Sequence, residues 1–99
     1  ASNTTMTDRL AQVDIPSKNR NPPRYPKTAV SSNHEGTSIL QIDVDAEGNI
    51  ASIAVAISSG YPEIDDAAMA AAKTWSYLPA IINGKAAVGS VRIPVRFSL

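Results

Sequence analysis

The sequence contains no cysteine and a single histidine, and both shortages limit the chemistry that it supports. Without cysteine there is no disulfide framework, no thiolate nucleophile and no cysteine-based zinc site. His34 lies in a polar stretch before Gly36 and is predicted to be an exposed loop residue. A catalytic triad or a metal site would have to be built on that one side chain. The sequence therefore predicts no enzyme, no metal site and no cofactor.

Long apolar runs and a charge excess are also missing. No stretch of about 18 apolar residues is present, and the chain does not begin with a charged-then-apolar signal segment. Either a cytosolic protein or a piece of a longer one is expected on that ground. The formal net charge is zero, and no basic patch with interleaved aromatic residues occurs, so no nucleic-acid partner is predicted.

Aromatic residues are few, which limits the size of the core. The 99 residues include one Trp, one Phe and three Tyr, while 43% of the residues are hydrophobic. This composition is typical of one small globular domain. Residues 1–20 are polar, with only faint apolar spacing at Leu10, Val13 and Ile15, and are predicted to be a flexible lead-in. Residues 21–99 are predicted to be the folded domain.

The most regular pattern is a pair of alternating segments around Gly48. A turn from Asp45 to Asn49, with Gly48 supplying a positive φ, makes the two segments a β-hairpin. The acidic residues of the same stretch also resemble the first half of a calcium-binding loop. The twelfth residue of such a loop is an acid that binds the ion, but here it is Ala54, and no helix precedes the stretch. The hairpin interpretation is therefore preferred. The residues predicted on one face are Ser38, Leu40, Ile42 and Val44 in the first strand, and Ile53, Val55 and Ile57 in the second.

Two helices and a last strand complete the predicted fold. A short helix starts at Pro26, and a second helix places Ile64, Ala68, Ala71 and Trp75 on one stripe. Its early acids (Glu63, Asp65 and Asp66) are interpreted as first-turn residues rather than as paired catalytic carboxylates. The order helix-strand-strand-helix-strand predicts an α+β two-layer sandwich, in which a three-stranded antiparallel sheet carries two helices on one face. A turn at Asn83 and Gly84 precedes the last strand.

The last strand, from Val91 to Phe97, alternates apolar and other residues but contains Pro94. Proline has no N–H and is confined mostly to edge strands, so this strand is predicted to lie open at the sheet edge. If Pro94 points away from its neighbour, the main-chain groups of Arg92 and Arg96 share that outward direction. They would form a ladder with a partner, to which Pro94 contributes only its carbonyl.

Several short motifs occur in order along the chain: Pro23-Arg24-Tyr25-Pro26, Glu35-Gly36, Gly48, Ser59-Gly60, Ile64-Asp65, Ala67-Ala68, Trp75, Tyr77, Pro79, Asn83-Gly84 and the final run from Val91 to Phe97. Together they resemble the C-terminal domain of the TonB family of energy transducers. Where some members have a glutamine three positions ahead of the tyrosine, this chain has Pro22.

The resemblance implies a function in transport. Members have a membrane-anchored N-terminus, and this domain is their periplasmic tip. It binds the TonB box of outer-membrane receptors by β-strand addition, and force from the inner-membrane proteins ExbB and ExbD drives uptake of siderophore-iron, haem or vitamin B12. For this sequence the resemblance implies that the TonB box binds to Ser90, Val91, Arg92, Ile93, Pro94, Val95, Arg96 and Phe97. It also implies that the receptor's plug contacts Arg20, Pro22 and Arg24.

Two alternatives remain open. One is a homodimerising or structural module of the same fold, like the tip of the TolA transducer, whose open strand pairs with its own copy. The other is an accessory domain of an enzyme or a ligand-binding protein, against which the lack of convergent polar groups argues. Measuring molecular size at several concentrations separates an obligate dimer from a peptide-binding monomer.

Overall fold

The computed structural model describes residues 8–99, so the first seven residues of the predicted lead-in lie outside the described part. The strands are Gln12–Val13 (β1), Gly36–Val44 (β2), Ile50–Ile57 (β3), Tyr77–Leu78 (β4), Ala80–Ile82 (β5), Lys85–Ala87 (β6) and Gly89–Phe97 (β7), and the helices are Ile15–Arg20 (α1), Lys27–Ser31 (α2) and Pro62–Ala72 (α3).

The main sheet has three antiparallel strands in the order β3-β2-β7, with β2 in the centre. The pairing of β2 with β7 is continuous from Gly36↔Phe97 to Val44↔Gly89. The predicted α+β fold with a three-stranded antiparallel sheet is thus confirmed. Helices α2 and α3 correspond to the two predicted helices, while α1 and the short strand pairs β1-β4 and β5-β6 were not predicted.

One face of the sheet forms the core, as the alternation predicts. Leu40, Ile42 and Val44 of β2 are buried against α3, and the helix contributes the predicted Ile64 and its alanines. Small alanine side chains let the helix approach the sheet closely, so that a modest set of apolar residues fills the interior. Trp75 lies just beyond the end of α3 and is also buried, which extends the predicted stripe past the helix.

Both predicted turns are present. Gly48 has a φ of 85°, and Asp45 accepts hydrogen bonds through Oδ1 from the main-chain N–H groups of Glu47 (2.9 Å) and Asn49 (2.8 Å). This acid therefore stabilises its own turn, in agreement with the hairpin interpretation. At the β5-β6 turn, Asn83 and Gly84 have φ values of 53° and 77°, the left-handed pair that favours a two-residue hairpin loop.

A carboxylate ties α3 to the central strand of the sheet and to the loop after β3. Asp65, in the first turn of α3, accepts hydrogen bonds from the hydroxyls of Ser38, Ser58 and Ser59 and from the main-chain N–H of Ser59 at 2.9 Å. Ser38 is fully buried on the core face of β2. Partial burial raises the pKa of the Asp65 carboxyl, but the four hydrogen bonds outweigh this effect and hold that pKa at about 2.

Residues 8–20 contact the domain at several points. β1 pairs with β4, and the main-chain N–H of Asp14 donates to the carbonyl of Ser76 at 2.8 Å. Ser17 in α1 is buried; its hydroxyl donates to the carbonyl of Asp14 and accepts the N–H of Ser76, both at 2.8 Å. Just after α1, the carbonyl of Asn21 accepts the Trp75 indole N–H at 2.7 Å. The boundary between lead-in and domain at residue 20 stays a prediction.

Replacing Ser17 with alanine tests whether these contacts hold residues 8–20 in place. The change leaves the N–H of Ser76 without its partner, and we expect the free energy of unfolding to fall by about 1.5 kcal/mol. Ser31→Ala is the matched control, because it removes only an exposed bond within α2. Urea unfolding measures both variants. Equal stability of the two would mean that residues 8–20 are a flexible lead-in, as the sequence predicts.

Candidate functional site

Strand β7 lies at an edge of the main sheet. Its nine residues pair with β2 on one side, and among residues 8–99 no strand pairs with the other side. An unpaired strand edge presents a row of main-chain donors and acceptors to any extended segment that approaches it. The edge is therefore a candidate for recognition of another chain, as is the outer edge of β3 at the other side of the sheet.

The side chains of β7 alternate as the sequence predicts. Ile93, Val95 and Phe97 are each 4% exposed and belong to the core, whereas Arg92 and Pro94 are exposed. Phe97 packs edge-to-face against Tyr25, with ring centroids 5.4 Å apart, and the Tyr25 hydroxyl donates to the carbonyl of His34. The strand is thus anchored to the core on one of its faces.

The position of Pro94 constrains the direction of the main-chain groups along β7. It lies opposite Ile39 of β2. In an antiparallel ladder, pairs that exchange two hydrogen bonds alternate with pairs that exchange none, and a proline fits the second class because it has no N–H. Arg92 and Arg96, two residues away on either side, share that class with Pro94. Their outward-pointing main-chain groups stay a prediction, consistent with this register.

The solvent face of the sheet is polar next to this edge. Asp43 of β2 accepts hydroxyl hydrogen bonds at 2.6 Å from Ser52 of β3 and from Ser90 of β7. Both bonds lower the pKa of the Asp43 carboxyl, and they link the three strands across the open face. The guanidinium Nε of Arg92 lies 3.3 Å from Oε1 of Gln41. Of the predicted binding residues, Ser90 and Arg92 are thus already engaged by side chains of β2.

Residues 11–23 run beside β7 in the same direction as the strand. At one end, Ala11 lies so close to Gly89 that a Cβ on this glycine would come within 3.2 Å of the Ala11 methyl. Further along, two clefts open between this segment and the strand. The first cleft, of about 350 Å³, is lined by Gln12, Val13, Ile15, Lys18 and residues 91–94; the second, of about 200 Å³, is lined by Lys18, Asn19, Pro22, Pro23, Trp75 and residues 94–96.

The three residues predicted to contact a receptor plug lie in different places. Arg20 is the exposed last residue of α1. Pro22 lines the second cleft, close to β7. Arg24 borders a separate, open apolar groove along α3, which Pro22 also lines. The structure therefore brings Pro22 next to the β7 edge, and it leaves Arg20 and Arg24 exposed at the surface.

The sequence did not reveal the contacts of His34. This side chain, predicted to be exposed, is half-buried: its Nδ1 lies 2.7 Å from Oε1 of Glu63, and its ring stacks on Tyr61 with centroids 3.9 Å apart. The hydrogen bond from His34 lowers the pKa of Glu63. These partners come from the start of α3, 29 residues away in sequence for Glu63, and no local pattern signals such a pairing. The contacts tie the α2-β2 loop to α3.

Comparison with known proteins identifies the family. A family model described as Gram-negative bacterial TonB protein C-terminal matches residues 21–99. The chain belongs to the family of TonB C-terminal domains. The Protein TonB of Xanthomonas campestris pv. campestris (strain B100) is 47% identical over 93 residues, which cover 94% of this chain and 42% of that protein.

Two further TonB relatives are more distant. Protein tonB2 of Pseudomonas aeruginosa is 42% identical over 77 residues, which cover 78% of this chain and 28% of that protein. For the Protein TonB of Vibrio cholerae the identity is 38% over 77 residues, with 78% and 32% covered. The chain thus spans less than half the length of each relative.

TonB proteins are energy transducers for transport and not a family of enzymes. Within residues 8–99, no helix combines the length and the apolar character needed to cross a membrane. The same described residues hold no group of three or more His, Asp or Glu side chains arranged for a metal ion. Among residues 8–99 of this TonB domain, β7 is a nine-residue strand that is paired on one side only, and two clefts lie beside it.

Proposed function

We propose that this domain is the periplasmic tip of a TonB-type energy transducer anchored in the bacterial inner membrane. In this proposal β7 receives the TonB box of an outer-membrane receptor by β-strand addition. Force derived from the proton gradient through ExbB and ExbD then passes along the added strand to the receptor's plug, which opens a path for siderophore-iron, haem or vitamin B12. Family membership supports the general role, and the chain's own residues support the docking mode.

The observation that carries the proposal is the unpaired outer side of β7. A segment added there continues the sheet order β3-β2-β7 by one strand, and its main-chain hydrogen bonds require no particular side chains. The strand is long, and its core side is fixed by Ile93, Val95 and Phe97. Pro94 interrupts the row of donors and so discourages indiscriminate pairing.

The expected energies suit a cycle of binding and release. Roughly five or six ladder bonds at about 1 kcal/mol each, less the cost of ordering a flexible peptide, leave an affinity on the order of micromolar. Such an interaction dissociates readily after each cycle. A ladder loaded along its strands still distributes the force over all its bonds, so a weak complex is able to transmit a pull.

An NMR titration with TonB-box peptides tests the proposal. We expect the amide shifts that change with peptide to cluster in residues 88–98, with smaller changes in β2 behind them. The outer edge of β3, which is also unpaired among residues 8–99, is the internal control and is expected to stay unperturbed. Saturating peptide that leaves residues 88–98 unchanged would refute the docking mode.

A second copy of the chain is the competing occupant of this edge. The observation in its favour is the same unpaired strand, since free edges pair readily with one another. Sedimentation over a hundredfold range of concentration distinguishes the two. We expect a monomer that binds peptide, whereas a dimer that persists at the lowest concentration and excludes peptide would favour the homodimerising module.

A further inference from the structure

The two clefts beside β7 have a second wall that the strand itself does not provide. We call this wall the flanking segment, residues 11–23; it comprises β1, α1 and the turn that leads into Pro22 and Pro23. It is fixed to the domain by the contacts of Ser17 and Asn21 described above. A strand added to β7 would therefore lie in a channel, with alternate side chains pointing into the clefts.

Lys18 stands between the two clefts, since it lines both of them. Its side chain is half-buried, and its ammonium lies 5.5 Å from the centroid of the Trp75 ring. Within residues 8–99 no carboxylate oxygen lies within 4 Å of that ammonium. A positive charge held over an aromatic ring between two clefts attracts a negative charge from a ligand.

The first cleft offers mainly apolar contacts. Val13 and Ile15 line it on one side, and Ile15 is 55% exposed although it is a large apolar residue. Val91, Ile93 and Pro94 of β7 line the other side, so an apolar side chain of a ligand placed in this cleft would remove apolar surface from water. Ile15 and Lys18 lie one helical turn apart in α1, so their side chains are neighbours on the same face of that helix.

We propose that the flanking segment contacts the side chains of the strand that docks on β7 and so determines which sequences bind there. The occupant is an extended receptor segment with an apolar side chain in the first cleft and, two residues further along, a carboxylate that pairs with Lys18. Two residues in a strand span about 6.8 Å and place both side chains on one face. This inference rests on the proposed function, because it assigns specificity to the same docking event.

The test uses the full 99-residue chain and two synthetic peptides. One is a TonB-box peptide with a single glutamate on the face that points to the flanking segment, and the other carries glutamine in its place. The Lys18→Met variant keeps an unbranched chain on the Trp75 ring but lacks the charge. Lys85→Met is the matched control, since Lys85 is exposed in the β5-β6 hairpin. Calorimetry and the fluorescence of Trp75, the only tryptophan, report binding.

We expect the unmodified chain to bind the glutamate peptide about tenfold more tightly than the glutamine peptide in low salt, and the difference to shrink in 0.5 M salt. Lys18→Met should abolish the difference, while Lys85→Met should preserve it. If Lys18→Met lowers the affinity for both peptides equally, or leaves the preference for the glutamate peptide intact, the role of Lys18 is refuted. If neither peptide perturbs residues 88–98 of the unmodified chain, both the proposed function and this inference fail.

A second variant tests the apolar part of the inference. Ile15→Ser should lower the affinity for both peptides about fivefold, because it removes an apolar contact in the first cleft. The thermal midpoint should not fall, because Ile15 is largely exposed in the free domain. Ile82→Ser is its control, since Ile82 is 49% exposed in β5, away from the clefts. Equal affinities for these two variants would exclude the first cleft from recognition.

Discussion

The Arg92→Pro variant is expected to bind TonB-box peptides at least about tenfold more weakly while its thermal midpoint stays within a few degrees of that of the unmodified chain. The expectation follows from the register, in which Arg92 belongs to the same class of pairs as Pro94. If its N–H points away from β2, a proline there removes a donor for the added strand and none from the sheet. Loss of one such bond, with the bulk of a ring added at the edge, accounts for about a factor of ten.

Two further variants make the comparison specific. Arg92→Ala removes the guanidinium and its contact with Gln41 but retains the main-chain donor, so we expect it to weaken binding by less than about threefold. Val95→Pro places the ring at a residue of the opposite class, whose N–H is expected to donate to β2 and whose side chain is buried. It should destabilise the fold by about 3 kcal/mol.

Calorimetric titration and thermal unfolding of the three variants decide the orientation of β7. A reversed pattern, in which Arg92→Pro unfolds the domain and Val95→Pro leaves it intact, would show that the outward groups belong to Val91, Ile93 and Val95. The docking ladder would then have to be built from the other set of residues. Such a result would contradict the assignment made from Pro94 without affecting the identity of the edge strand.

The sheet and its open edge could be predicted from the sequence because the signals that specify them are local. Alternation over nine residues marks Leu40 and Ile42 as core, and the positive-φ positions at Gly48 and Gly84 place the turns. Pro94 indicates an edge because any proline inside a ladder lacks a donor. Each of these features depends on the backbone of a few neighbouring residues and on no distant partner.

The position of the flanking segment could not be predicted from the sequence in the same way. Residues 11–20 are mostly polar, and what holds them is a small number of bonds to distant residues. Ser17 meets Ser76 across 59 positions, and Asn21 meets Trp75 across 54. The sequence does not distinguish a buried serine whose hydroxyl has two hydrogen-bond partners from an exposed serine. Composition alone therefore predicts a flexible lead-in. The second wall of the candidate site therefore appears only in three dimensions.

Asp65 shows the same limit inside the domain. Its place in the first turn of α3 was predicted, and a first-turn acid is usually interpreted through the helix dipole alone. The structure adds hydrogen bonds from Ser38, 27 positions away, and from the loop after β3. A carboxylate that satisfies a fully buried hydroxyl contributes far more than a surface acid does.

The Asp65→Asn variant should therefore lose about 3 kcal/mol of unfolding free energy at pH 7. An amide carries no charge to strengthen the hydrogen bonds from the three serine hydroxyls, and its N–H₂ group replaces the Oδ2 atom that accepts from the Ser58 hydroxyl. Asp66→Asn is the matched control: it makes the same change of charge one residue later in α3, at an exposed position, and it should cost less than about 0.5 kcal/mol.

The same pair of variants predicts a specific dependence on pH. In the folded chain the pKa of Asp65 is lowered from 3.8 to about 2, so its contribution to stability is fully present above the unfolded-state pKa and is lost as the pH falls through the folded value. Urea unfolding at several pH values between 7 and 2 should show the gap between the unmodified chain and Asp65→Asn narrowing below pH 4. The corresponding gap for Asp66→Asn should stay small throughout. A gap for Asp65→Asn that is equally large at pH 7 and pH 2 would mean that packing, and not the ionised carboxylate, ties α3 to β2.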